Sequence, residues 1–218
     1  DVYKRQVYIH SHPDRHYEQV KRALNAGKHV MCEAPIAKSA KECSELFALA
    51  DERGLLLMDS LRTAYSTAYA RMLLLVTGGR IGEVVSVDAT ITNLKTNRAP
   101  FDTRRDTAWS SMTAWGPTAL LPIFQILGTK PNSVRISSLC EKNDKTFDEF
   151  SRLDVEFPNA VATAKVGSGA KSEGSLVVSG TKGYIYVPAP WWKTDYFEIR
   201  YEDPADNRRY FYCLLYTS

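Results

Sequence analysis

The sequence lacks any apolar run of the length needed to cross a bilayer and has no signal-like opening stretch, so a membrane-spanning protein is not expected. It also lacks metal-site and disulfide spacing. Its four cysteines, Cys32, Cys43, Cys140 and Cys213, form neither a CxxC nor a close Cys/His pattern. No metal is expected, and reduced thiols in a cytoplasmic protein are the simpler reading. Excess charge is missing too: the net charge is +3 and the basic residues are dispersed, which argues against nucleic acid as a partner. What remains is an ordinary globular composition, 44% apolar and 24% charged. A chain of 218 residues has room for one large domain or two small ones.

The first third alternates strand and helix. Val7-Tyr8-Ile9 is a short apolar run that stops at His10-Ser11-His12-Pro13, and a helix is predicted over 15–26 with Gly27 as its cap. A strand over 29–32 follows, then Ser39-Ala40-Lys41-Glu42, the S-x-x-E pattern of a capping box. The helix it opens ends at Gly54, and Leu55-Leu56-Leu57-Met58 reads as a third strand. Continuous rather than alternating apolar strands between helices predict a parallel sheet covered by helices. After a further helix to about residue 76 the period changes. Val85, Val87, Ala89 and Ile91 alternate with Ser86, Asp88, Thr90 and Thr92, and more alternating strands are predicted up to residue 212. One helix interrupts them, from Pro117 in its first turn to Leu127.

The stretch His29-Val-Met-Cys-Glu-Ala-Pro35 lies where that first sheet should end. Ligands of open α/β sheets bind beyond the carboxyl ends of the strands, which places Glu33, Ala34 and Pro35 at a site. The run AGKHVMCEAP at 26–35 resembles the AGKHVLCEKP signature of the Gfo/Idh/MocA oxidoreductases. Ile9-His10-Ser11-His12-Pro13-Asp14-Arg15-His16 resembles that family's I-A-T-P-x-x-x-H loop. Gly79-Arg80-Ile81-Gly82-Glu83-Val84 and Gly180-Thr181-Lys182-Gly183 resemble its domain-opening and sheet-turn signatures.

The resemblance implies an α/β plus α+β protein: the carboxyl-terminal half of a Rossmann-type parallel sheet over 7–79, then a mostly antiparallel open-sheet domain over 80–212. Residues 1–6 and 213–218 read as foreign ends. The dinucleotide fingerprint G-x-G-x-x-G does not open any helix here, since the only glycine-rich stretch, Gly167-Ser168-Gly169, lies between strands. The chain is therefore expected to be a piece of a longer protein, lacking about two β-α units of roughly 30 residues each. NAD or NADP is the cofactor implied for the intact parent, while the chain alone is expected to bind it poorly.

The family's active-site lysine in E-K-P is Ala34 here, and its D-x-G-x-H element aligns with Ala114-Trp115-Gly116-Pro117-Thr118, where only the glycine persists. If the acid/base role has moved, the candidates are His12, His16 and Tyr65, histidine because its ordinary pKa lies near neutrality. The resemblance assigns the cofactor side to Ser11, His12, His16, Glu33, Ala34, Pro35 and Arg62, and the substrate side to Asp102, Arg104, Arg105 and Thr118. Two functions stay open: an NAD(P)-dependent oxidoreductase of a sugar, sugar-nucleotide or cyclic polyol, or a non-catalytic relative that binds a carbohydrate or nucleotide. A homo-oligomer through the second domain's sheet is expected, with aromatic residues between Tyr184 and Tyr212 suited to an interface.

Overall fold

The computed structural model describes residues 5–94, 109–142 and 144–212. The chain divides into two units, Asp1–Leu61 and Arg62–Ser218.

In the first unit β1 (Gln6–Ile9), β2 (His29–Cys32) and β3 (Leu57–Asp59) pair in parallel in the order β1-β2-β3, with Ile9 level with Cys32 and Cys32 level with Asp59. The helices α1 (His16–Asn25) and α2 (Ala40–Glu52) connect them. Ile9, Val30, Cys32 and Leu57 form a buried cluster with Val20 and Leu24 of α1 and Leu46 and Ala50 of α2. The other alternating set, including Tyr8 and Met58, stays exposed. The strands read as continuous apolar runs, but only one face of this three-stranded sheet is covered among the described residues.

Both helix boundaries have local causes. Gly27 takes φ +68°, a conformation only glycine adopts cheaply, and the N–H of Lys28 returns to the Ala23 carbonyl at 3.1 Å. Ser39 caps α2 by accepting the Glu42 N–H at 3.2 Å, but the Glu42 carboxylate accepts the N–H of Lys38 at 3.0 Å and not that of Ser39. The capping box is displaced by one residue. The amino-terminal end also departs from expectation: Gln6 opens β1 opposite His29, and the Arg5 carbonyl accepts the His29 N–H at 2.9 Å. Residues 5 and 6 are part of the sheet. Residues 1–4 and 213–218 lie outside the described residues.

The second unit is an eight-stranded sheet, β11-β10-β9-β8-β4-β7-β6-β5. Its strands are β4 (Val84–Thr92), β5 (Ser133–Glu141), β6 (Asp144–Glu156), β7 (Val161–Gly167), β8 (Leu176–Gly180), β9 (Tyr184–Val187), β10 (Tyr196–Arg200) and β11 (Arg208–Phe211). Only β4 and β7 run parallel; every other neighbouring pair is antiparallel. The helices α3 (Thr67–Thr77) and α4 (Ser111–Leu127) share a buried core with Val87, Ala89, Ile91, Val155, Val166, Ile185 and Ile199 of the sheet. Because Tyr69, Met72 and Val76 of α3 belong to that core, the chain divides at Leu61 and not near residue 80.

The helix α4 begins at Ser111, six residues before Pro117, so Pro117 and Pro122 both lie inside it. Each leaves the carbonyl four residues earlier without its helical N–H. The start of α4 is held from the sheet: Asp148 of β6, buried, accepts the Met112 N–H at 2.9 Å and the Ser151 hydroxyl at 2.6 Å. A carboxylate at a helix amino terminus also suits the dipole.

Two motifs that are a hundred residues apart in the chain turn out to be one contact. Thr181 N–H donates to the Glu83 carbonyl at 2.9 Å, Lys182 N–H to the Ile81 carbonyl at 2.9 Å, and the Thr181 hydroxyl oxygen accepts the Glu83 N–H at 3.0 Å. A side chain on Gly180 would place its Cβ 2.3 Å from the Ile81 carbonyl oxygen. The Gly79–Val84 turn and the Gly180–Gly183 turn thus dock backbone to backbone. Gly180→Ala is expected to destabilise the protein by about 1–3 kcal/mol, because the obstacle is backbone that cannot rotate away; urea denaturation at equilibrium measures it.

Candidate active site

The carboxyl ends of the three parallel strands in the first unit carry most of the residues singled out from the sequence. After β1 the chain passes through His10, Ser11 and His12 into a single 3-10 turn, Pro13–Arg15, and then α1. His12 caps that turn, its Nδ1 accepting the Asp14 N–H at 3.3 Å. Asp14 in turn meets the Lys38 ammonium, and this bond holds the Asp14 carboxyl below its usual range; loss of solvation opposes it, and the lysine's charge and His12 add to the lowering.

His16 joins two loops. It is 1% exposed, with Nδ1 2.8 Å from the Pro35 carbonyl and Nε2 2.9 Å from the Ser11 carbonyl. Both partners only accept, so each bond needs a proton on its own ring nitrogen. Whatever follows β1 is thereby tied to whatever follows β2. Ser11 adds a hydroxyl bond to Gln19 at 2.6 Å.

Beyond β2, the Glu33 N–H donates to the Ile9 carbonyl at 3.0 Å, Ala34 is half-buried, and the Ala34–Pro35 peptide bond is cis. The Glu33 carboxylate accepts the Tyr8 hydroxyl and lies 3.4 Å from His10 Nδ1. Cys32, just below, is fully buried. Burial pushes its thiol up to about 12, with the charges of Glu33 and Asp59 adding to the effect, so it stays protonated and is not a nucleophile. Beyond β3, the Ser60 N–H donates to the Cys32 carbonyl at 2.9 Å and Asp59 accepts the Leu61 N–H at 3.1 Å. Ser60 Oγ is buried and is the one such side-chain polar atom without a partner among the described residues.

Ser11, His12, His16, Glu33, Ala34 and Pro35 therefore fall on two adjacent strand-end loops. Arg62 and Tyr65 belong to the second unit, in a 3-10 turn, both exposed. Thr118 is half-buried on α4. Asp102, Arg104 and Arg105 lie outside the described residues. The adjacent Trp191 and Trp192 sit in different surroundings. Trp191 is 1% exposed and donates its Nε1–H to the Thr90 carbonyl at 3.0 Å, while Trp192 packs at 5.8 Å from Trp115. Ser60 was not picked out from sequence, and neither was the grouping of Tyr8 and His10 with Glu33. Their signal was the parallel register, which sets residue 10 beside residue 33 only once the two strands are paired.

Residues 4–60 match the family model for the Gfo/Idh/MocA oxidoreductase family with an NAD-binding Rossmann fold. Over these residues the chain is similar to that family. Its first part is 34% identical over 83 residues to the uncharacterized oxidoreductase YhhX of Escherichia coli, covering 38% of this chain and 24% of that protein. Trans-1,2-dihydrobenzene-1,2-diol dehydrogenase of Oryctolagus cuniculus is 26% identical over 94% of this chain and 64% of its own length. Among solved structures, a 3-ketoreductase from Actinomadura kijaniata in complex with NADP and TDP-benzene aligns with a TM-score of 0.78 at 21% identity, over 95% of this chain and 64% of that one. An NAD binding oxidoreductase from Klebsiella pneumoniae aligns with a TM-score of 0.80 at 23% identity, over 94% and 59%. The chain spans less than two thirds of each of these proteins, and the structural matches establish the two-domain fold.

His16→Phe should leave the Ser11 and Pro35 carbonyls unpaired and lower stability by about 2–3 kcal/mol, read from urea denaturation. His16→Gln, which keeps a donor, should recover part of the loss.

Proposed function

We propose that this chain carries the strand-end half of an NAD(P)-dependent site that oxidises a hydroxyl, or reduces the carbonyl, of a small cyclic, polyhydroxylated substrate. The observation that carries the reading is the convergence of the family's loop residues on the carboxyl ends of β1, β2 and β3, with the Ser60 hydroxyl buried there and unpaired. An orphaned buried hydroxyl asks for a partner, and a bound ligand is one that would satisfy it. The residues present fit the nicotinamide end of the cofactor: the Ser60 hydroxyl, the backbone around Ala34 and Pro35, and the Ser11 loop would hold it. The glycine-rich phosphate cradle is not among them. When bound, the nicotinamide supplies hydride chemistry, taking the carbinol hydrogen with both its electrons, so the hydroxyl proton must go to another group. The chain's own contribution is to keep the two loops rigid through His16 and to receive that proton.

The substrate class is supported by relatives that act on a cyclic diol and on a sugar nucleotide. A second reading is favoured by one observation, Ala34 in the place of the family lysine: a relative that binds a carbohydrate or nucleotide without turnover. Calorimetric titration of the intact parent protein with NAD and NADP, followed by hydride-transfer assays on sugars, cyclic diols and sugar nucleotides, separates the two. Binding with turnover is expected. Binding without turnover on any substrate supports the second reading, and no binding sinks both the cofactor and the reaction.

The proposed partner of the second unit is another copy of the chain, through the sheet face opposite α3 and α4. There Arg200 stacks 4.7 Å from the Tyr186 ring, Arg209 lies 5.9 Å and 5.8 Å from the stacked rings of Tyr196 and Phe211, and Glu198 accepts from both guanidinium groups, at 2.8 Å and 2.7 Å. Burial pushes the Glu198 carboxyl up, but the two arginines outweigh it and hold the group below its usual range. Arg209→Glu is expected to convert a dimer to monomer in sedimentation equilibrium; an unchanged mass for the variant excludes this face.

A further inference from the structure

At the end of β1 a tyrosine, a histidine and a glutamate converge in a way the family pattern does not foreshadow. Tyr8 and His10 are two residues apart, so their side chains leave on the same side of the strand, and their rings stack at 6.2 Å with 8° between planes. The register that sets Ile9 level with Cys32 brings His10 level with Glu33 on the next strand. One carboxylate oxygen, Glu33 Oε1, accepts the Tyr8 hydroxyl and lies 3.4 Å from His10 Nδ1.

An ionised carboxylate only accepts, so the Glu33 oxygen beside Nδ1 favours the proton of a neutral His10 ring on that nitrogen and the lone pair on Nε2. The His10 side chain is 74% exposed, and Nε2 has no partner among the described residues. Neither other histidine of these loops presents such a nitrogen. His16 spends both on carbonyl oxygens. His12 accepts at Nδ1, which puts its proton on Nε2. A carboxylate that fixes the imidazole proton and leaves the far nitrogen free is the arrangement by which an orienting acid prepares a histidine base. The two departures from the family pattern also match: I-A-T-P has alanine where this chain has His10, and E-K-P has lysine where it has Ala34. The ionisable group has left the end of β2, and one stands at the end of the adjacent β1.

We infer that His10 is the acid/base of this site and that Glu33 is its positioning residue. The inference rests on the oxidoreductase reading above. In the oxidative direction the substrate O–H proton moves to His10 Nε2 as the carbinol hydrogen leaves as hydride, and the oxygen's freed electron pair closes the C=O bond. In reduction the imidazolium returns the proton from Nε2 to the forming alkoxide.

The first test needs no cofactor. Two-bond proton–nitrogen correlation spectra of the full chain, labelled at histidine, are expected to show neutral His10 mainly as the Nδ1–H tautomer, with Glu33→Ala shifting it toward Nε2–H. A dominant Nε2–H tautomer in the unsubstituted protein overturns the assignment. The second test uses the intact parent protein, with NADP and trans-1,2-dihydrobenzene-1,2-diol as the probe substrate. His10→Ala should lower kcat by about 10²-fold or more while leaving NADP affinity within about twofold. Adding Ala34→Lys to His10→Ala should restore at least about tenfold of that loss. A kcat for His10→Ala within about threefold of the unsubstituted protein overturns the inference. Failure of NADP to bind the unsubstituted protein counts against the oxidoreductase reading itself, and the tautomer then decides the His10 assignment alone.

Discussion

The buried imidazole of His16 is the constraint on which the first unit's functional edge depends. Loops after parallel strands have no hydrogen-bonding obligation to one another, and each would otherwise be free to move on its own strand. A ring 1% exposed, bonded at 2.9 Å to the carbonyl after β1 and at 2.8 Å to the carbonyl after β2, removes that freedom. Any ligand held at these strand ends meets two loops with a fixed separation, which is what positioning of reacting groups requires. The local pattern at His12 and Asp14 continues the same logic, since it fixes the 3-10 turn from which His16 is presented.

The second unit is organised by a different economy, backbone packed directly on backbone. The Gly180–Gly183 turn lies on the Gly79–Val84 turn backbone to backbone, and Thr181 closes the pair through its hydroxyl. The helix α4, weakened by two internal prolines, is held at its start by a carboxylate from β6 and along its length by the core it shares with the sheet. Packing outweighs local propensity there: each proline removes one helical hydrogen bond, while residues such as Ile123 and Ala119 are fully buried.

Placed on the fold, the strand-end loops pose a single question of where an ionisable group stands. The end of β2 carries Ala34, whose side chain cannot hold a proton. The end of β1, its hydrogen-bonded neighbour, carries an exposed imidazole beside a carboxylate and a phenol. A proton-handling group has only to reach the reacting oxygen, so adjacent strand ends can exchange the duty without disturbing the sheet that supports them.

The sequence by itself determined the class of each half, because apolar periodicity and glycine placement report locally on helix, strand and turn. It also carried the family resemblance, through contiguous runs such as 26–35. The capping serine at Ser39, the glycine stop at Gly27 and the alternation in β4 were all legible for that reason. The start of α4, the allegiance of α3 and the fate of Trp191 were not, since each depends on a core assembled from distant segments. The candidate site shows the same division. His12, His16 and Glu33 stand out in the chain as residue types, but only tertiary structure decided that His16 is consumed by two carbonyls and that His10 faces Glu33. Which nitrogen of a histidine is free depends on what the other one touches, and that partner lies on a different strand.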